Sequence, residues 1–91
     1  MDDSERLRGL FQLCKLFIRS GKLGQADAIY DLCTKEFEND FRCYFNHAQL
    51  RCLQKRYTEA LSLFYKAEIR YTTLFVMPHV RIMTRRRLDD V

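Results

Sequence analysis

The chain has 91 residues, 47% of them apolar, with 7 Phe, 5 Tyr and a formal charge of +4 from 16 Lys or Arg against 12 Asp or Glu. So much apolar and aromatic content excludes a disordered tail, and the length leaves room for one domain with a modest core. The uncharged stretch Tyr71 to His79 falls far short of the roughly 20 apolar residues a membrane span needs, and Asp2, Asp3, Glu5, Arg6 and Arg8 interrupt any secretory leader, so the chain reads as soluble and cytoplasmic.

Helical periodicity runs through the chain and no stretch alternates strictly enough to predict a strand. Leu7, Leu10, Phe11, Cys14, Phe17 and Ile18 recur at steps of three and four, the stripe of an amphipathic helix that Asp3 or Ser4 can cap and Gly21 can end. A second stripe, Ala26, Ile29, Tyr30 and Cys33, stops near Asn39 and Asp40, either of which can cap the next helix. The third stripe is Tyr44, Phe45, Ala48, Cys52 and Leu53, and the fourth is Ala60, Leu61, Phe64, Ala67 and Ile69. A fifth helix is expected over about 76–88, with Pro78 in its first turn, where a missing amide costs nothing, and with Val76, Val80 and Met83 able to pack on the preceding pair. The fold class is therefore all-α in a single domain.

These stripes repeat. Ala26 and Ala60 are 34 residues apart, as are Leu23 and Tyr57, Tyr30 and Phe64, Cys14 and Ala48, and Cys33 and Ala67. In this spacing, with Tyr44, Ala48, Tyr57, Ala60, Phe64 and Ala67 in one unit and Leu10, Leu13, Phe17, Gly21, Leu23, Ala26 and Tyr30 in the other, the chain resembles the tetratricopeptide repeat (TPR) family, whose unit is a 34-residue helix–turn–helix. The family's signature, which these residues fit, sets small residues where the two helices cross and aromatics between them. The resemblance implies a right-handed solenoid of two antiparallel helix pairs, one over about 7–40 and one over about 41–74, closed by the C-terminal helix. Cys14 and Cys33 take places usually held by Gly or Ala, and Cys is small enough for a close crossing. The family's frequent Pro after the second helix is replaced by Glu38 and Thr72. Two repeats with a cap lie at the small end of what stands alone, so a protein partner, self-association or a longer parent chain is expected.

The same resemblance makes protein binding residue-specific. In TPR proteins the first helix of each pair lines a concave groove, and those places carry over to Arg8, Phe11, Lys15, Ile18 and Arg19 in the first unit and to Arg42, Phe45, Gln49, Cys52 and Leu53 in the second. A clamp for a terminal carboxylate would need Lys and Asn where Phe11 and Lys15 stand, and only the later Asn46 is present. Instead Phe11, Ile18, Phe45 and Leu53 form an apolar strip rimmed by Arg8, Lys15, Arg19 and Arg42. It suits an amphipathic helix or extended apolar segment with acidic flanks. The competing occupant is the chain's own C-terminal helix. Two versions of such a module fit: a scaffold or assembly subunit, or a small chaperone, since the chaperones of type III secretion needles are similar short TPR-like chains.

Other chemistries find less support. Cys14, Cys33, Cys43 and Cys52 include no close pair such as a structural zinc site uses, and Cys43 with His47 has no second pair to complete it. Inert buried thiols are the expectation, with no metal, cofactor or disulfide. His47 and His79 lie far apart, no phosphate-binding loop or nucleophile motif appears, and Asp27 and Asp31 are expected on a solvated face, so no enzyme is expected. The alternative class is a basic, nucleic-acid-associated helical protein, resting on Thr84-Arg85-Arg86-Arg87. Asp89 and Asp90 blunt that run and no aromatic interleaves it, although it could serve as a nuclear import signal.

Overall fold

The computed structural model describes residues 2–76. Four α-helices follow one another: α1 (Asp3–Arg19), α2 (Leu23–Glu36), α3 (Phe41–Leu53) and α4 (Tyr57–Tyr71), and a π-helical turn, Thr72–Val76, extends the last. There is no strand among the described residues. The fifth helix expected over 76–88 lies outside the described residues except for Val76, which closes the π turn.

Capping sets the helix starts. The Asp2 carboxylate accepts a hydrogen bond from the Glu5 amide at 2.8 Å, one or two residues earlier than the expected Asp3 or Ser4, because it is Asp2 that stands three residues before Glu5. Asp40, as expected, caps α3 by accepting from the Arg42 amide at 3.0 Å. The Arg42 guanidinium also donates to the Asp40 carboxylate, and these hydrogen bonds hold that carboxyl below its usual range.

The two turns between paired helices are the same structure 34 residues apart. After α1 the amides of Gly21 and Lys22 donate to the carbonyls of Ile18 and Phe17, and after α3 the amides of Lys55 and Arg56 donate to those of Cys52 and Arg51. Each is the paired hydrogen-bond pattern of a Schellman helix end, which requires a left-handed residue just past the cap. Gly21 supplies it with φ 74° and Lys55 with φ 61°. Turns this short make α1 and α2, and likewise α3 and α4, run antiparallel.

Burial follows the small residues. Cys14, Ala26, Cys33, Ala48, Ala60 and Ala67 are all buried, as their places in the repeat require. One core cluster joins Leu7, Cys33, Cys43, Tyr44 and Ala67, and another joins Cys14, Ala26, Tyr30 and Leu50. Helix α3 therefore packs on two sides, against the first pair through Cys43, Tyr44, His47 and Leu50 and against α4, whose Ala67 shares a cluster with Tyr44. The expected third stripe had missed Cys43, His47 and Leu50. Leu53, Leu61 and Ile69, expected in stripes, are exposed. Among the described residues, close backbone approaches join only consecutive elements. No described helix is long and apolar enough to cross a membrane.

Lys55 holds a conformation that costs a non-glycine residue roughly 1–2 kcal/mol. Lys55→Gly is therefore expected to stabilise the chain by about 0.5–1 kcal/mol after glycine's larger unfolded-state entropy is subtracted, seen as a rise of a few degrees in the thermal midpoint. Ala60→Leu is expected to lose about 1–3 kcal/mol by overpacking the α3–α4 crossing; an unchanged urea midpoint would count against that crossing.

Candidate functional site

The ten residues expected to line a groove separate into two groups. Arg8, Lys15 and Arg19 are exposed on α1, and Arg42 and Gln49 are exposed on α3. Phe11 and Ile18, by contrast, are half-buried: Phe11 packs against both core clusters, with its ring 6.2 Å from that of Tyr30, and Ile18 packs against the cluster that contains Leu50 of α3. Their counterparts in the second unit are more open. Phe45 is 44% exposed and Leu53 59% exposed, while Cys52 is half-buried. The difference has one cause. Helix α3 lies over the first pair, whereas the equivalent face of the second meets only the π turn at its edge, where Phe75 packs on Phe41 and Tyr71.

That uncovered face is an apolar seat. Phe41, Phe45, Phe64, Ala67, Glu68 and Tyr71 line a cavity of about 330 Å³ between α3 and α4. Phe45 and Phe64 meet edge-on at 5.6 Å, and Phe41 and Tyr71 do so at 5.2 Å. Shifted back by 34 residues, these six positions are Leu7, Phe11, Tyr30, Cys33, Thr34 and Phe37. Leu7, Phe11, Cys33 and Phe37 belong to or pack against one core cluster, and Tyr30 belongs to the other. The Thr34 carbonyl accepts from the Tyr44 hydroxyl of α3 at 3.3 Å. Leu61, 70% exposed, and Tyr57 continue the apolar rim along α4. The contribution of α4 was absent from the groove expected from the sequence, although the 34-residue offset that matches Phe64 to buried Tyr30 carried the signal.

A second feature lies on the opposite side of α3. His47 is 2% exposed, with its Nε2 2.8 Å from Asp27 Oδ1, while Arg51 Nε donates to His47 Nε2 at 3.2 Å and forms an ion pair with the same Asp27 oxygen at 2.9 Å. Arg51 also pairs with Glu59 at 2.8 Å, and Arg56 pairs with Glu59 and lies 3.7 Å from Asp27. Asp27 is thus not on a solvated face but ties α2 to α3, and Arg51 carries the network on to α4. Sequence spacing concealed it, because only His47 and Arg51 are neighbours on one helix. His47 Nδ1 is buried and meets no hydrogen-bond partner, so no nucleophile joins the His47–Asp27 pair among the described residues. Burial, opposed by Asp27, holds the imidazole below its ordinary range.

The thiols are free, with Cys14, Cys33 and Cys43 buried. Burial first, and the neighbouring Cys33 next, push the Cys14 thiol up to about 12; its Sγ lies 3.8 Å from the Ala26 carbonyl, to which it donates. Cys43 is pushed well above the usual thiol range by its hydrogen bond with Cys33 and then by burial. No group of three or more His, Cys, Asp or Glu among the described residues is placed to hold a metal ion. No protein-family model, no curated protein and no solved structure matches the chain.

The buried imidazole links stability to pH. An unfolded histidine takes up a proton near pH 6.5 and folded His47 only at a lower pH. Below 6.5 the unfolded chain thus binds the extra proton, and stability present at higher pH is lost until the folded value is passed. Urea unfolding at pH 7.5 and 5.5 is expected to show a larger acid loss in the parent than in His47→Gln, with His79 common to both.

Proposed function

We propose that this chain is a non-enzymatic TPR-like interaction module, its two helix pairs stacked as a right-handed solenoid, that holds an apolar amphipathic helix of a partner protein. The observation that carries this reading is the seat on the second pair. The same face of the first pair is filled by a helix of the chain itself, whereas the second copy presents Phe41, Phe45, Phe64 and Tyr71 around an open cavity. Apolar concavities of this kind are where amphipathic helices dock, with aromatic anchors supplying most of the affinity.

The residues of the seat also bear on the ligand it would take. Leu61 and Phe64 stand where the first pair has Asp27 and Tyr30, so a partner needs apolar residues where α3 presents His47 and Arg51. Next to Phe41 of the seat, exposed Arg42 favours an acidic flank on the partner helix, which speeds encounter and fixes orientation, whereas Arg8, Lys15 and Arg19 lie on α1, which makes no close backbone approach to α3 or α4. A module of this kind serves as an assembly subunit or as a small chaperone that masks an amphipathic helix, such as those of type III secretion needles.

A synthetic helical peptide with leucines at i, i+4 and i+7 and glutamates beside them is the test ligand. Fluorescence anisotropy is expected to show binding that Phe64→Asp weakens at least about tenfold, with little change on raising the salt. Binding that collapses with salt and is outcompeted by RNA would favour the basic, nucleic-acid-associated reading instead.

The two phenylalanines at equivalent positions are expected to behave differently. Phe11→Ala should cost about 2 kcal/mol or more of stability, because it opens a void under α3. Phe45→Ala should cost about 1 kcal/mol, mostly its edge contact with Phe64, while weakening the peptide. Thermal melts and anisotropy on both variants check this; equal melts would place both rings in equivalent surroundings.

A further inference from the structure

The described chain stops at the edge of the seat. The π turn brings Phe75 onto two seat residues, with ring centroids 5.9 Å from Phe41 and 5.0 Å from Tyr71. Taking the seat as the helix-binding surface argued above, we propose that residues 77–88 of this chain occupy it when no partner is bound, so that a partner engages by displacing the chain's own segment.

Three observations single out this occupant. The first is a match of buried positions. The α3 residues that close the first seat are Cys43, Tyr44, His47 and Leu50, all buried. Thirty-three residues further on stand Val76, Met77, Val80 and Met83, apolar at every place. At a strict offset of 34, by contrast, Arg81 would fall where His47 does, so the segment enters the seat one residue early.

The second is complementarity between the two partners of one contact. On the first pair Asp27 faces His47 across 2.8 Å. On the second, both sides change together: Leu61 replaces the acid and Val80 replaces the imidazole. An ion-paired position has become an apolar one on seat and segment alike, which avoids leaving a buried charge alone.

The third is charge at the rim. Glu68 lines the cavity and joins no ion pair among the described residues. The segment brings Arg81, Arg85, Arg86 and Arg87. Because the segment is tethered directly at Val76, its effective concentration at the seat is on the order of millimolar. A partner is therefore held back by the fraction of chains whose seat is already filled.

Cys52 gives a native probe. It is the least buried of the thiols, and its counterpart Ile18 is covered in the first seat by the cluster that contains Leu50. Alkylation of Cys52 with iodoacetamide, followed by mass spectrometry, is expected to be slow in the full chain and at least about tenfold faster in the Val80→Asp/Met83→Asp variant, with both chains equally helical by circular dichroism. Added peptide 77–91 is expected to slow the variant again. Equal rates in the two chains would overturn the proposal, as would protection that appears only on concentration together with a doubled mass, which assigns the seat to a second copy.

Should the double variant not fold, Met83→Cys in the full chain decides the matter. Oxidised glutathione is expected to close an intramolecular disulfide with Cys52, and failure to form it would overturn the docking. These readouts contain no partner, so their failure leaves the anisotropy result on the seat itself standing, and the reverse.

Discussion

A helix can be buried on two flanks only if its neighbours come close on both. Here that approach depends on six small side chains, Cys14, Ala26, Cys33, Ala48, Ala60 and Ala67, one or more at each crossing and all buried. Larger residues there would separate the helices and withdraw α3 from the first pair. With α3 in place, Leu7, Phe11 and Ile18 find a lid, Tyr44 and Leu50 find a floor, and Arg51 comes within reach of both Asp27 and Glu59. Arg70 adds a clasp at the far end, lying over the Tyr44 ring at 3.9 Å while its Nε donates to the Glu38 carbonyl between α2 and α3.

The parts of this arrangement that depend on repeated local chemistry were legible in the sequence. The first four helices, the Asp40 cap, the left-handed Gly21 and the burial of the small residues all come from periodicity and residue size. Lys55 was legible only through the repeat, since nothing about lysine favours a left-handed conformation and its position 34 residues after Gly21 is what announces it. Contacts between distant helices were not legible. Asp27 and His47 are 20 residues apart, and neither alone signals more than a surface acid and an isolated imidazole. The groove was half legible, because matching Phe11 with Phe45 identifies equivalent places without telling which of them the next helix covers.

The proposed function rests on that asymmetry. A repeat places the same apolar surface twice, and the chain buries one copy under α3. The remaining copy differs from the first in having Leu61 on its rim and Phe64 in its lining where the first pair has Asp27 and Tyr30. The ionic network confers on α3 a defined register against the first pair, a use for which buried polar groups are suited. The second seat lacks that device, so on the proposed reading an occupant is held there by apolar contacts, which fix its register less strictly.

The restriction of close backbone approaches to consecutive elements has a kinetic consequence. Among the described residues no pairing has to wait for a distant part of the chain, so little loop entropy stands between their collapse and the native state, and such topologies fold on the microsecond-to-millisecond scale. Opening is graded for the same reason. Helix α3 is flanked on both sides and its amides exchange with solvent only when both neighbours release it, whereas α1, flanked on one side, can detach while α3 and α4 remain paired.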